Sequence, residues 1–147
     1  MFKRILVPVD GSDLSTRAID ASLELARPLG ATVVGFVAEP MPTLPAVGRP
    51  PTVVARENEL HDQRTAAHAR EVLSAFGQRA QAAGVAFDSH YLQAPLVDQA
   101  IIDAAESKGC DLILMVTHGR GAFGEFLFGS HTKAVLSRCK LPLLVLH

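Results

Sequence analysis

The chain has 147 residues, 48% of them hydrophobic and 20% charged, which suits one ordinary globular domain spanning residues 1–147. Its formal net charge of −1 excludes a general electrostatic attraction to nucleic acid or anionic lipid, so an anion must be held by a local site. Aromatics at 5%, with no Trp, argue against a stacking platform for single-stranded nucleic acid.

Met1-Phe2-Lys3-Arg4 leads directly into an apolar run at residues 5–9, which Asp10 interrupts too early for a secretion signal. No stretch approaches the ~18 apolar residues of a membrane span, so a cytoplasmic location without membrane contact is expected. Leu14, Ala18, Ala21 and Leu25 then repeat at helical spacing. Ser12 or Asp13 can cap that helix, Pro28 should loosen its last turn and Gly30 can close it. A second apolar run occupies residues 32–38. Residues 39–56 carry Pro40, Pro42, Pro45, Pro50 and Pro51 and read as a long loop, either a lid or a surface excursion.

A second helix is expected from about residue 57 to 83, with a stripe of Ala69, Val72, Leu73, Phe76, Ala80 and Ala83 that stops at Gly84. The run at 86–92 is more polar and suits a sheet edge. Val97, Ile101, Ala104 and Ala105 mark a third helix ending at Gly109. A strand-like run at 112–117 follows. A fourth helix begins near Gly129-Ser130, and the last run is 141–146. The first, fourth and fifth runs are almost continuously apolar, as strands covered on both faces are. Strict alternation of strand and helix predicts an open parallel five-stranded sheet with helices on both faces. Cys110 and Cys139 have no metal or disulfide spacing and read as buried free thiols.

Ligands of such sheets sit at the carboxyl ends of the strands, where strand order reverses. Two strand ends here have unusual composition. Val9-Asp10-Gly11-Ser12 puts a carboxylate, a flexible residue and a capping hydroxyl together, although Asp10 could serve merely as a cap. After the fourth strand, Val116-Thr117-His118-Gly119-Arg120-Gly121-Ala122-Phe123-Gly124 places three glycines within six residues, and Gly129-Ser130 later opens a helix. Glycines let backbone N–H groups turn toward a ligand, and the first N–H groups of a helix lack partners. Ser130 and Thr132 add hydroxyls, and Arg120 and Lys133 add positive charge. A phosphate is the simplest anion for this set, though a mobile connection would carry the same glycines. There is neither a Walker A loop nor a dinucleotide fingerprint.

Among the histidines, His118 reads as a loop residue with a local hydrogen bond. His131 falls in the first turn of the last helix, where the dipole disfavours a charged imidazole unless a phosphate is present. His61 and His68 read as solvated, and Phe123, Phe126 and Phe128 as anchors of the loop. No catalytic set of nucleophile and base stands out.

At these positions the chain resembles the universal stress protein family. Arg4-Ile5-Leu6-Val7-Pro8-Val9-Asp10-Gly11-Ser12 is similar to that family's first strand and turn. Phe36-Val37-Ala38-Glu39-Pro40, Cys110-Asp111-Leu112-Ile113-Leu114-Met115 and Leu141-Pro142-Leu143-Leu144-Val145-Leu146 resemble its second, fourth and last strands. The nucleotide-binding branch carries Gly, two residues, Gly, nine residues, then Gly and Ser or Thr. Gly119 and Gly129-Ser130 match; the first Gly would fall at 116, where this chain has Val116.

The resemblance implies a Rossmann-like fold with strand order 3-2-1-4-5, ATP or another adenine nucleotide as ligand with Mg as an optional companion, and a homodimer through residues 141–146. The candidate binding residues are Pro8, Val9 and Asp10 at the first strand end, and Val37, through its backbone, at the second. After the fourth strand they are Val116, Thr117, His118, Gly119, Arg120 and Gly121. At the last helix they are Gly129, Ser130, His131 and Thr132. The expected role is a nucleotide-binding stress-response module acting on an unidentified signalling partner. The alternatives are a nucleotide-free dimeric interaction protein and a slow ATPase acting as a switch.

Overall fold

The computed structural model describes residues 1–42, 44, 46–117 and 130–147, with Ser130 described by its backbone. Its strands are β1 (Arg4–Pro8), β2 (Thr32–Pro40), β3 (Phe87–Ala94), β4 (Leu112–Val116) and β5 (Leu143–Leu146). The helices are α1 (Asp13–Leu29), α2 (Pro51–Ala83), α3 (Val97–Ser107) and α4 (Ser130–Arg138). The sheet order is β3-β2-β1-β4-β5, with every neighbouring pair parallel. This is the alternating order expected from the sequence, with the polar third strand at one edge and β5 at the other.

Period-2 alternation along the central strands divides the core into two layers. Ile5, Val7, Val33, Val37 and Leu114 meet Ile19, Leu23, Leu73 and Phe76 of α1 and α2 on one face. Leu6, Val34, Phe36, Ile113 and Met115 meet Ile101, Ala105 and Val135 of α3 and α4 on the other. Ser12 caps α1 by accepting from Ser15 N–H at 3.3 Å. Gly30, at φ +62°, ends it in the left-handed conformation. Pro28 lies inside α1, which nevertheless continues to Leu29.

The proline-rich segment is shorter than expected. β2 runs on to Pro40, and α2 starts at Pro51 rather than near 57, leaving residues 41–50 as the connection. Pro51 stands at the first helical position, where a missing N–H costs nothing, so proline there starts the helix. His61 and His68 are not merely solvated. His61 Nε2 lies 2.9 Å from Pro40 O, and His68 Nδ1 lies 2.5 Å from Glu39 Oε1, so both tie α2 to the end of β2. Cys110 is buried and Cys139 partly so, and both are free thiols.

Opposite the carboxyl ends of the strands, Asp111 accepts from the backbone N–H groups of Lys3 and Arg4 at 2.8–3.0 Å. Arg4 also donates to Lys108 O at 2.9 Å and to Asp88 at 3.1 Å. These bonds fix β1 between its neighbours and set the height at which its other end stops. No helix among the described residues is long and apolar enough to cross a membrane.

Candidate functional site

At the carboxyl ends of β1 and β4 lies a cavity of about 280 Å³. It forms because β1 sits between β2 and β4, while the chain leaves β1 for one face of the sheet and α4 packs on the other.

Pro8, Val9 and Asp10 form the wall at the end of β1. Asp10 is fixed by its own turn: Ser15 Oγ donates to its Oδ1 at 2.7 Å and Ser12 N–H donates to the same oxygen at 2.9 Å. Burial alone would push the carboxyl up, but the bonds from Ser12 and Ser15 outweigh it and hold it below the usual carboxylate range. Gly11 makes this turn at φ +85°, and a Cβ there would stand 3.1 Å from Val72 and 3.3 Å from His68.

Phe36 and Ala38 of β2 supply the next wall. Pairing between β1 and β2 ends at Pro8 and Phe36, and Val9 N–H donates to Phe36 O at 2.8 Å. Main-chain groups two residues apart point the same way, so Ala38 turns its N–H and C=O to that side beyond the end of β1. Val37 sends its side chain into the core, and by the same alternation its main chain faces β3.

Met115, Val116 and Thr117 line the wall at β4. Val116 also packs against the core layer under α1 and α2. Thr117 N–H donates to Leu146 O at 2.8 Å, while its Oγ1 is buried without a partner among the described residues, on a residue 3% exposed. His131 and Thr132, in the first turn of α4, face the same space, and Thr132 is buried. Val97 and Ile101 of α3 also line it. Asp98 of α3 accepts from Arg138 Nη1 at 3.1 Å, and its other oxygen lies 3.9 Å from His131 Nδ1.

The fold thus gathers Pro8, Val9, Asp10, Val116, Thr117, His131 and Thr132 around one cavity. His118, Gly119, Arg120, Gly121 and Gly129 lie outside the described residues, as do Phe123, Phe126 and Phe128; Ser130 begins α4. Sequence reasoning passed over Ser15, Phe36, Ala38, Ile101 and Met115. Ser15 carried a signal, since it follows Ser12 by three residues at a helix start; the apolar four looked like ordinary core. Among the described residues there is no group of three or more His, Cys, Asp or Glu that could hold a metal ion.

The sequence profile of the universal stress protein family matches residues 1–147. A universal stress protein of Thermus aquaticus is 32% identical over 149 residues, covering 99% of this chain and 98% of that one. Two solved structures share the fold. One is a universal stress protein in complex with cAMP, with TM-score 0.71 and 23% identity over 99% of this chain and 97% of that one. The other is the Archaeoglobus fulgidus universal stress protein in complex with dAMP, with TM-score 0.65 and 23% identity over 99% of this chain and 98% of that one. The match of the family profile over the whole of residues 1–147 shows that this chain belongs to the universal stress protein family.

Proposed function

We propose that the cavity binds an adenine nucleotide, ATP first among them, and that the chain is a cytoplasmic stress-response module whose state depends on that ligand. The observation that carries this reading is the buried Thr117 hydroxyl, without a partner among the described residues, in the cavity that the first turn of α4 also lines. A buried hydroxyl without a partner costs about 1–3 kcal/mol, which a ligand oxygen would offset. The N–H groups of the α4 first turn have no partner within the helix and suit a phosphate. Asp10 Oδ2 suits a ribose hydroxyl, and the main chain of Ala38 suits the edge of adenine. The cAMP and dAMP complexes of the two family structures support the same ligand class.

Turnover would be slow. Asp10 is the one carboxylate among the described lining residues, and a carboxyl held below its usual range is a weak base. A Mg ion brought in on the phosphates would meet Asp10 as the one carboxylate among the described lining residues. We also propose a homodimer through β5, whose outer edge has no strand beside it among the described residues.

Calorimetric titration with ATP tests the site: one nucleotide per chain in the wild type, and strongly weakened binding in Asp10→Ala and Gly129→Phe. Unchanged affinity in both variants would move the site elsewhere. A wild type that takes up no adenine nucleotide would leave the nucleotide-free interaction protein as the better reading.

A further inference from the structure

The end of β2 and one turn of α2 close on the turn that carries Asp10. Glu39 stands two residues beyond the core residue Val37, so its side chain leaves β2 on the same face, toward α2. Its carboxylate is only 15% exposed and accepts from His68 Nδ1–H at 2.5 Å. His68 lies three residues after the buried Thr65 and four before Val72, on the inner stripe of α2. The far edge of its ring presses on Gly11, where a Cβ would stand 3.3 Å from His68 Nε2 and 3.1 Å from Val72. Asp10 and Ser12, on either side of Gly11, both line the cavity.

This turn of α2 is itself anchored. His61 Nε2–H donates to Pro40 O at 2.9 Å. Thr65 Oγ1 accepts from Tyr91 OH at 3.2 Å and from Gln93 Nε2 at 3.0 Å. The imidazole of His68 is thus a fixed body, held to the ends of β2 and β3, against which the Asp10 turn rests.

We propose that His68, held by Glu39, is a positioning residue of the nucleotide site: it backs the Asp10–Gly11–Ser12 turn and keeps the Asp10 carboxylate aimed at the ribose. This rests on the nucleotide reading above, with Asp10 as its ribose contact. Ser12 N–H and Ser15 Oγ, both on Asp10 Oδ1, fix the carboxylate relative to α1. The contacts running from Glu39 through His68 to Gly11 fix the same turn relative to β2, one residue from the Ala38 wall assigned to adenine. A ligand that joins base to ribose reads the distance between those two walls, and holding it before binding lowers the ordering cost. Glycine at position 11 is what admits the ring this close. Neither Glu39 nor His68 is among the described lining residues, so their effect passes through Asp10.

The test is calorimetry of ATP and of 2′,3′-dideoxy-ATP on the whole chain at neutral pH. His68 is 46% exposed, so truncating it leaves the core intact. His68→Ala and Glu39→Ala should each bind ATP about threefold to fivefold more weakly than the wild type. Their affinity for the dideoxy ligand, which offers Asp10 no ribose hydroxyl, should match the wild type's. Glu39→Gln keeps an acceptor for Nδ1–H and should restore ATP affinity. A merely structural role would weaken both ligands alike. Equal weakening of the two ligands, or no weakening of ATP, would overturn this proposal and leave the nucleotide reading standing. A wild type that binds both ligands equally would overturn the ribose contact and this proposal with it. Failure of the wild type to bind either would overturn the nucleotide reading as well.

Discussion

Ser15 and Asp10 exchange two hydrogen bonds at 2.7 Å: Ser15 Oγ donates to Asp10 Oδ1 and accepts from Asp10 N–H. A residue in the first turn of α1 therefore sets the orientation of the carboxylate at the cavity wall. Ser15→Ala leaves a backbone donor without its partner inside a tight turn. It should cost about 1–2 kcal/mol in urea unfolding at neutral pH and weaken ATP binding as well.

Acid should release the same turn. The carboxyls of Asp10 and Asp111 are both held below the usual range; in each, burial pushes up and hydrogen bonds outweigh it. A depressed folded-state value means their contribution is complete above the unfolded value of about 3.9 and is lost as pH falls below it. The melting temperature should therefore change little from these groups between neutrality and about pH 4, then drop. Ser15→Ala should show a smaller acid drop. Identical acid profiles for the two proteins would contradict the role given to Ser15.

Gly11 takes φ +85°, and its missing Cβ would meet Val72 at 3.1 Å and His68 at 3.3 Å. Gly11→Ala combines a left-handed backbone with crowding against α2, so a loss of about 1–2 kcal/mol is expected. The turn carrying Asp10 should shift with it. Thermal unfolding checks the first effect and ATP affinity the second.

Val116 lines the cavity at the position where the family's glycine pattern would start. Val116→Gly should tighten ATP binding by removing bulk beside the ligand. It should also lower stability by about 1–2 kcal/mol through lost burial against the core layer. Equal affinities, measured side by side, would show that the valine is neutral to binding.

The β5 edge offers a separate test. Ile113 N–H donates to Pro142 O and Thr117 N–H to Leu146 O, so the even-numbered residues of β5 face β4. Leu143 and Val145 therefore turn their main-chain groups outward. Val145→Pro deletes an outward donor without touching the β4 pairing, and light scattering should show a monomer where the wild type is a dimer. A monomeric wild type at micromolar concentration would contradict the assembly while leaving the cavity account untouched.

The sheet was legible because its signals are local. Continuous apolar runs marked β1, β4 and β5, and the polar run 86–92 marked an edge, as β3 is. The start of α2 was not, because five prolines read as a loop while Pro51 in fact begins the helix. Within the site, Asp10 and the first turn of α4 announced themselves by residue type. Phe36, Ala38, Ile101 and Met115 did not, since an apolar cavity wall and an apolar core have the same composition. The partners of His68 and His131 were invisible for another reason. Glu39 and Asp98 come from 29 and 33 residues away in the chain, and only the fold brings them close.

The location of the ligand is the central claim, and amide chemical-shift mapping of the labelled chain during an ATP titration tests it most directly. The account predicts saturable shifts at Asp10, Ala38, Thr117 and Thr132, with Arg4, Asp88 and Asp111 at the far end of the strands unmoved. Shifts centred on the Arg4 end, or on Arg49 and Arg64 at the start of α2, would contradict it, as would a spectrum that ATP leaves unchanged.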